Sequence, residues 1–190
     1  MIEVKNRFTQ EVIRVIMEDS LAGIDLSGIE LEVASLPGAD LTDANLLAAN
    51  LAVADLTACK LVNANLAAAN LIGANLERSD LRGANLQGAN LTGANLGDVN
   101  LDGADLQDAN LTGANLAGAN LRNTKLQGAN LTRANMESVD INGAEYDQET
   151  QFPELFFDPR GQGAIRVDTD EPSVELRRKK VPRPWWKFWG

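Results

Sequence analysis

The sequence predicts an all-β fold in which the chain coils around its own core, because its apolar residues recur with a strict period of five. From Leu21 to Tyr146 every fifth residue is apolar, which gives 26 positions, and 23 of them are leucine. Alanine stands two residues before the centre in 18 of 25 units, and Asn or Asp directly precedes the centre in 20 of 25. The repeat therefore specifies both the core and the corners of the fold.

A period of five excludes the ordinary secondary structures. In an α-helix, every fifth residue moves ~140° around the axis, so the leucines would surround the helix. In a flat strand, an odd period would place successive leucines on opposite faces. A chain that turns a corner every five residues keeps all of them inside, and Asn, Asp and Gly favour such corners. We therefore expect the central residue and the preceding alanine to face inward.

The pattern Ala-(Asn/Asp)-Leu-x-x, as in residues 84–88 and 89–93, resembles the pentapeptide repeat family. The resemblance covers about residues 19–148, and it implies a right-handed quadrilateral β-helix with four units per coil. With four units per coil, the predicted solenoid of residues 21–148 is roughly 30 Å long at the usual spacing between strands. Stacked coils of this kind derive most of their stability from the interfaces between neighbours.

An open solenoid end exposes unpaired backbone groups, so we expect a cap at each end. Residues 1–20 are predicted to form an N-terminal capping α-helix, because four apolar residues share one helical face: Phe8, Val12, Val15 and Ile16. Residues 149–160 are predicted to form a C-terminal cap, since this region is similar to a closing segment of cyanobacterial members of the family. Phe152, with Phe156 or Phe157, is expected to cover the last coil. Dimerisation through this end is the alternative, so the chain is predicted to be a monomer or an end-to-end dimer.

Residues 161–190 are predicted to be a flexible tail that ends in a basic, tryptophan-rich segment. The formal net charge of the protein is −10, yet the last fifteen residues contain six cations and no acid. An anionic membrane surface or an acidic protein groove would suit this composition, and packing against the acidic solenoid is the alternative. The residues that define the segment are Arg177, Arg178, Lys179, Lys180, Trp185, Trp186, Phe188 and Trp189.

The sequence contains no combination of residues that indicates catalysis. There is no histidine, and the single cysteine, Cys59, occupies an inward alanine position. No zinc-ligand spacing, phosphate-binding loop or nucleophile–base pair is present. We therefore expect a protein that is not an enzyme and has no cofactor and no metal. The absence of a signal peptide, of an apolar membrane span and of a cysteine pair predicts a cytoplasmic protein, with peripheral membrane association through the tail as the alternative.

Two functions from different classes fit these features. The first is a scaffold or adaptor that binds a protein partner of unknown identity through outward apolar residues, namely Leu47, Val53, Val62 and Ile72. The second is an acidic DNA mimic that inhibits a topoisomerase, which is implied by the resemblance to quinolone-protection members of the family. The acidic residues are spread over three faces and interrupted by cations, which favours the scaffold. No direct binding of nucleic acid is expected for so acidic a body.

Overall fold

The chain forms a solenoid in which residues one coil apart are twenty positions apart in the sequence. The computed structural model describes residues 1–154 and 158–167. Parallel bridges link Asp25 to Asn45 at one end and continue at the same interval to the pair of Lys125 with Glu145. Because twenty residues contain four units, each coil has four sides, as the family resemblance implied. Its right-handedness stays a prediction.

Most of the solenoid is built of isolated bridges, and short strands occur at its ends. A hairpin precedes the repeats, and its strands form an antiparallel sheet with one side of the first coil, in the order β2-β1-β3. At the other end β4 and β5 pair in parallel. The strands are β1 Ile2–Asn6, β2 Val12–Ile16, β3 Ala34–Ser35, β4 Glu145–Tyr146 and β5 Ile165–Arg166.

The asparagines explain how one short motif both turns the chain and joins the coils. At Asn95 the side-chain Oδ1 accepts hydrogen bonds from the Gly97 N–H at 3.2 Å and from Asn115 Nδ2 at 3.0 Å. Two residues after each centre from Leu21 to Ile141 the backbone has a positive φ, for example 64° at Gly88 and 53° at Ala48. Glycine adopts this conformation without strain, which accounts for its frequency at that position.

The core consists of stacked columns of leucine and alanine. Leu71, Leu91 and Leu111 stack on one side, and none of them is more than 1% exposed. Cys59, Ser79 and Thr124 replace inward alanines, and each donates a hydrogen bond to a backbone carbonyl, at 2.9, 2.7 and 2.8 Å respectively. These polar substitutions are tolerated because every buried donor has an acceptor.

The predicted N-terminal helix is wrong, since β1 and β2 form a β-hairpin instead. Val and Ile fill four of the five positions of β2, and β-branched residues favour strands over helices. Asn6 initiates the turn, because its Oδ1 accepts from the N–H groups of Phe8 at 2.8 Å and Thr9 at 3.1 Å. The sheet then continues onto the first coil, where Lys5 pairs with Ser35. An exposed solenoid edge therefore selects a strand as its cap.

At the C-terminal end Phe152 packs against the core, as expected. Its ring contacts Tyr146 edge to face, with centroids 5.4 Å apart and an interplanar angle of 84°. The prediction for Phe156 and Phe157 lies outside the described residues. The boundary of the tail at residue 161 is set too early, because Ile165 pairs with Glu145 and continues the ladder by one more rung.

Candidate protein-interaction surface

The twenty-residue coil sorts the outward residues into four flat faces. We number the faces by the centre of their first unit, so that faces one to four begin at Leu21, Leu26, Leu31 and Leu36. Residues twenty apart stack at the spacing between parallel strands, about 4.8 Å. Each outward position of the repeat therefore becomes a column that runs along the solenoid.

Face three contains an uncharged surface over four successive coils. It begins after Glu32 and ends before Arg133. We call it the face-three strip, and its outward residues other than the corner asparagines are Ala52, Val53, Ile72, Gly73, Thr92, Gly93, Thr112 and Gly113. Ile72 is 42% exposed, whereas Val53 is half-buried. The strip thus combines an exposed apolar side chain with exposed glycine backbone.

The hydroxyl groups on the strip already have hydrogen-bond partners within the fold. Thr92 Oγ1 donates to Asn90 Oδ1 at 2.7 Å, and Thr112 Oγ1 donates to Asn110 Oδ1 at the same distance. A partner that covers the strip therefore leaves neither of these threonine hydroxyl donors without an acceptor. Burial of a satisfied polar group costs much less free energy than burial of an unsatisfied one.

The N-terminal hairpin adds an aromatic ring and a cation at one end of the strip. The Arg7 guanidinium donates to the backbone carbonyl of Val53 at 2.9 Å, and it lies 5.3 Å from the centroid of the Phe8 ring. Phe8 is 66% exposed. This arrangement was not predictable from the expected helix, which puts Phe8 on the same apolar face as Val12, Val15 and Ile16. The signal in the sequence that could have identified the exposed ring is an aromatic residue, Phe8, in a turn that follows Asn6.

The structure separates the apolar residues that the sequence grouped as one candidate surface. Val53 and Ile72 lie on face three, whereas Leu47 lies on face two and Val62 on face one. Leu47 is 43% exposed, which matches the exposure of Ile72. The eight predicted tail residues lie outside the described residues, namely Arg177, Arg178, Lys179, Lys180, Trp185, Trp186, Phe188 and Trp189.

Cations pair locally with some of the acids on the solenoid surface. Five of the six basic residues in the repeats form ion pairs with neighbouring acids: Lys60 with Asp40, Arg78 with Glu77, Arg82 with Asp80, Arg122 with Asp140 and Lys125 with Asp105. The hydrogen bond from Arg82 holds the pKa of Asp80 below its usual value. These pairs interrupt the acidic faces and so give little support to the DNA-mimic alternative.

The acids of face four line a shallow groove. Its volume is about 450 Å³, and Glu77, Asp98 and Glu137 stand along it between corner asparagines. Neither here nor elsewhere in the described part of the chain is a group of three or more potential metal ligands close enough to hold an ion. Burial raises the pKa of the Cys59 thiol to about 11, so this cysteine is protonated at neutral pH and is a poor nucleophile.

No helix within residues 1–154 and 158–167 is long and apolar enough to span a membrane.

The geometry defines a class of protein: a four-sided solenoid of five-residue units that presents flat surfaces. The model of the family described as Pentapeptide repeats matches the chain in 8 copies, over residues 20–51, 49–88, 59–98, 79–116 and 114–145. The chain therefore belongs to the pentapeptide repeat family.

Solved structures of cyanobacterial pentapeptide repeat proteins are similar to this chain. The protein alr5209 from Nostoc PCC 7120 is 39% identical, with 57% of this chain and 84% of that chain covered and a TM-score of 0.34. Rfr23 from Cyanothece 51142 is 35% identical, with 68% and 88% covered and a TM-score of 0.33. HetL from Nostoc sp. strain PCC 7120, a protein involved in heterocyst differentiation regulation, is 28% identical, with 75% and 85% covered and a TM-score of 0.28. A comparison with curated protein sequences finds no match.

Proposed function

We propose that this protein is a non-enzymatic scaffold that binds a protein partner through the face-three strip. The observation that supports the proposal is the exposed Ile72 on a face whose own residues carry no charge between Glu32 and Arg133, with the Arg7 guanidinium at one end. Displacing water from charged groups costs free energy. On so acidic a chain, a surface without charged side chains that spans four coils therefore has the lowest desolvation cost for a partner.

The rigidity of the solenoid supports the same function. Backbone hydrogen bonds tie each unit to the next coil, for example from Leu91 N–H to the Asn110 carbonyl at 2.7 Å and from Gly93 N–H to the Thr112 carbonyl at 3.0 Å. A surface held in this way loses little conformational entropy when a partner binds. Ile72, with Phe8 at the end of the strip, provides the large apolar side chains that dominate the energetics of most interfaces.

Two variants with matched exposure test the proposal. Ile72→Glu places a charge on the strip, while Leu47→Glu places the same charge on face two at a position that is equally exposed. The full-length protein and both variants would be used as baits in quantitative affinity purification from the source cells. We expect one set of partners to be retained by wild type and Leu47→Glu and to fall about tenfold or more with Ile72→Glu.

The two variants also distinguish the proposed surface from other surfaces of the same scaffold. Equal recovery of every partner by Ile72→Glu and wild type would reject the face-three strip as the binding surface. Loss of partners with Leu47→Glu alone would assign binding to face two. Circular dichroism of each bait shows whether the solenoid is intact, so a loss of binding is not confused with unfolding.

A further inference from the structure

The N-terminal hairpin exposes an apolar surface on the side that faces away from the solenoid. In the β1–β2 register Glu3 pairs with Val15 and Lys5 pairs with Val12. Glu3 and Lys5 are two residues apart in one strand, so they and their partners share a face. Val4 lies on the opposite face and is fully buried against the core. Val12 and Val15, at 46% and 44% exposure, therefore face outward.

Strand β2 also lies at the edge of its sheet. Among the described residues, β1 is its only neighbour in the order β2-β1-β3. The strand carries a single charge, at Arg14, and Ile13 is 39% exposed where the register shifts. An exposed edge strand of β-branched residues with little charge is a surface that tends to associate with another chain.

The exposed apolar area is large enough for a specific contact. Met1 and Met17 flank the terminal pair of Ile2 with Ile16, and they are 66% and 77% exposed. Together with Val12, Ile13 and Val15, these side chains expose on the order of 500 Å² per molecule. Two such surfaces would bury at most about 1,000 Å², which reaches the lower limit for specific association.

The charge distribution indicates that the occupant is a second copy of this chain. Residues 1–19 contain three basic and four acidic residues, whereas residues 20–148 contain six basic and sixteen acidic residues, a net charge of −10. Two copies would therefore repel each other along their solenoids but not at their hairpins. The basic tail, with six cations, complements the acidic solenoid better than the nearly neutral hairpin.

We propose that the protein forms a head-to-head homodimer through the outward faces of its N-terminal hairpins. A two-fold axis would bring Val12, Val15 and Met17 of one copy against the same residues of the other. Glu3 and Lys5, the charged residues that share this face with Val15 and Val12, are opposite in sign, so the surface has no charge of one sign that would prevent self-contact. The dimer leaves all four solenoid faces free, so it doubles the binding valency of the scaffold.

Sedimentation equilibrium of the full-length protein tests the proposal. Over a range of roughly 1–200 µM, we expect wild type to approach twice the monomer mass of 20.4 kDa. Val15→Glu and Met17→Glu should each weaken dimerisation about tenfold or more. Ile72→Glu, which lies on the face-three strip, is the matched control and should dimerise like wild type. This control separates the dimer from the proposed binding function, because each depends on a different substitution.

Two results of the sedimentation experiment would overturn the proposed homodimer. A monomer throughout the range overturns the proposal, and so does a dimer that neither hairpin variant weakens, since its contact would lie elsewhere. Circular dichroism will show whether Val15→Glu still folds. If it does not, Met17→Glu decides the result, because a side chain that is 77% exposed contributes little to the stability of the fold.

Discussion

Replacement of Leu91 by alanine tests the idea that the stacked columns hold the solenoid together. Leu91 is 1% exposed and stacks between Leu71 and Leu111 in adjacent coils. The substitution removes three carbon atoms, worth about 2.4 kcal/mol of transfer free energy. It also leaves a cavity that the hydrogen-bonded coils cannot close. We therefore expect the free energy of unfolding to fall by about 3–4 kcal/mol.

The assay is guanidinium unfolding followed by far-ultraviolet circular dichroism, because the repeats contain no tryptophan and the backbone signal reports directly on the coils. Two further variants test the dependence on neighbours. Leu26→Ala in the first coil, at 7% exposure and with a single stacked coil, should cost about 2 kcal/mol. Leu47→Ala, at 43% exposure, should cost less than about 1 kcal/mol. If Leu91→Ala costs no more than Leu47→Ala, the columns do not stabilise the fold.

Four other changes have defined outcomes. Ala48 has a φ of 53°, so Ala48→Gly should stabilise the protein by about 0.5 kcal/mol in thermal unfolding, while Gly88→Ala, at 64°, should destabilise it by about 1 kcal/mol. Because burial raises the pKa of Cys59 to about 11, a thiol reagent at pH 8 should label this residue only after denaturant is added, and rapid native labelling would contradict its inward position. Hydrogen bonds from the hydroxyl of Thr42 and then from its N–H hold the pKa of Asp40 below the usual value. The Asp40 carboxylate therefore stabilises the folded protein above its unfolded-state pKa, and this stabilisation is lost as the pH falls through its folded-state pKa. An NMR titration of Thr42→Val should show the Asp40 pKa rise, and no change would reject the assignment. If the tail binds anionic membranes, tryptophan emission should start solvent-like and shift to the blue with anionic vesicles, whereas emission that is blue from the start and indifferent to vesicles would reject membrane binding.

The repeat made most of the solenoid predictable from the sequence. A period of five is incompatible with a helix or a flat strand, so the inward position of Leu91 followed from elementary geometry. The same register correctly placed Cys59 in the core. These inferences are local, because each unit repeats the same corner and the same inward pair. A prediction of this kind needs no knowledge of distant contacts.

The ends of the chain could not be predicted in the same way. The apolar spacing of Phe8, Val12, Val15 and Ile16 fits a helix, but β2 is a strand because β1 extends the sheet onto β3. Ile165 likewise lies in a sequence without the repeat, yet it joins the ladder beside Glu145. In both places an unpaired backbone edge of the solenoid determines the conformation, and that edge exists only once the coils have stacked.

The candidate surface shows the same division. The sequence by itself determined that Leu47, Val53, Val62 and Ile72 face outward, because none of them occupies an inward position of the repeat. Only the tertiary structure assigned Val53 and Ile72 to one face and brought Arg7 to within 2.9 Å of the Val53 carbonyl. The physical reason is that the direction of a side chain depends on its own unit, whereas its neighbours depend on the number of units per coil and on where the hairpin packs.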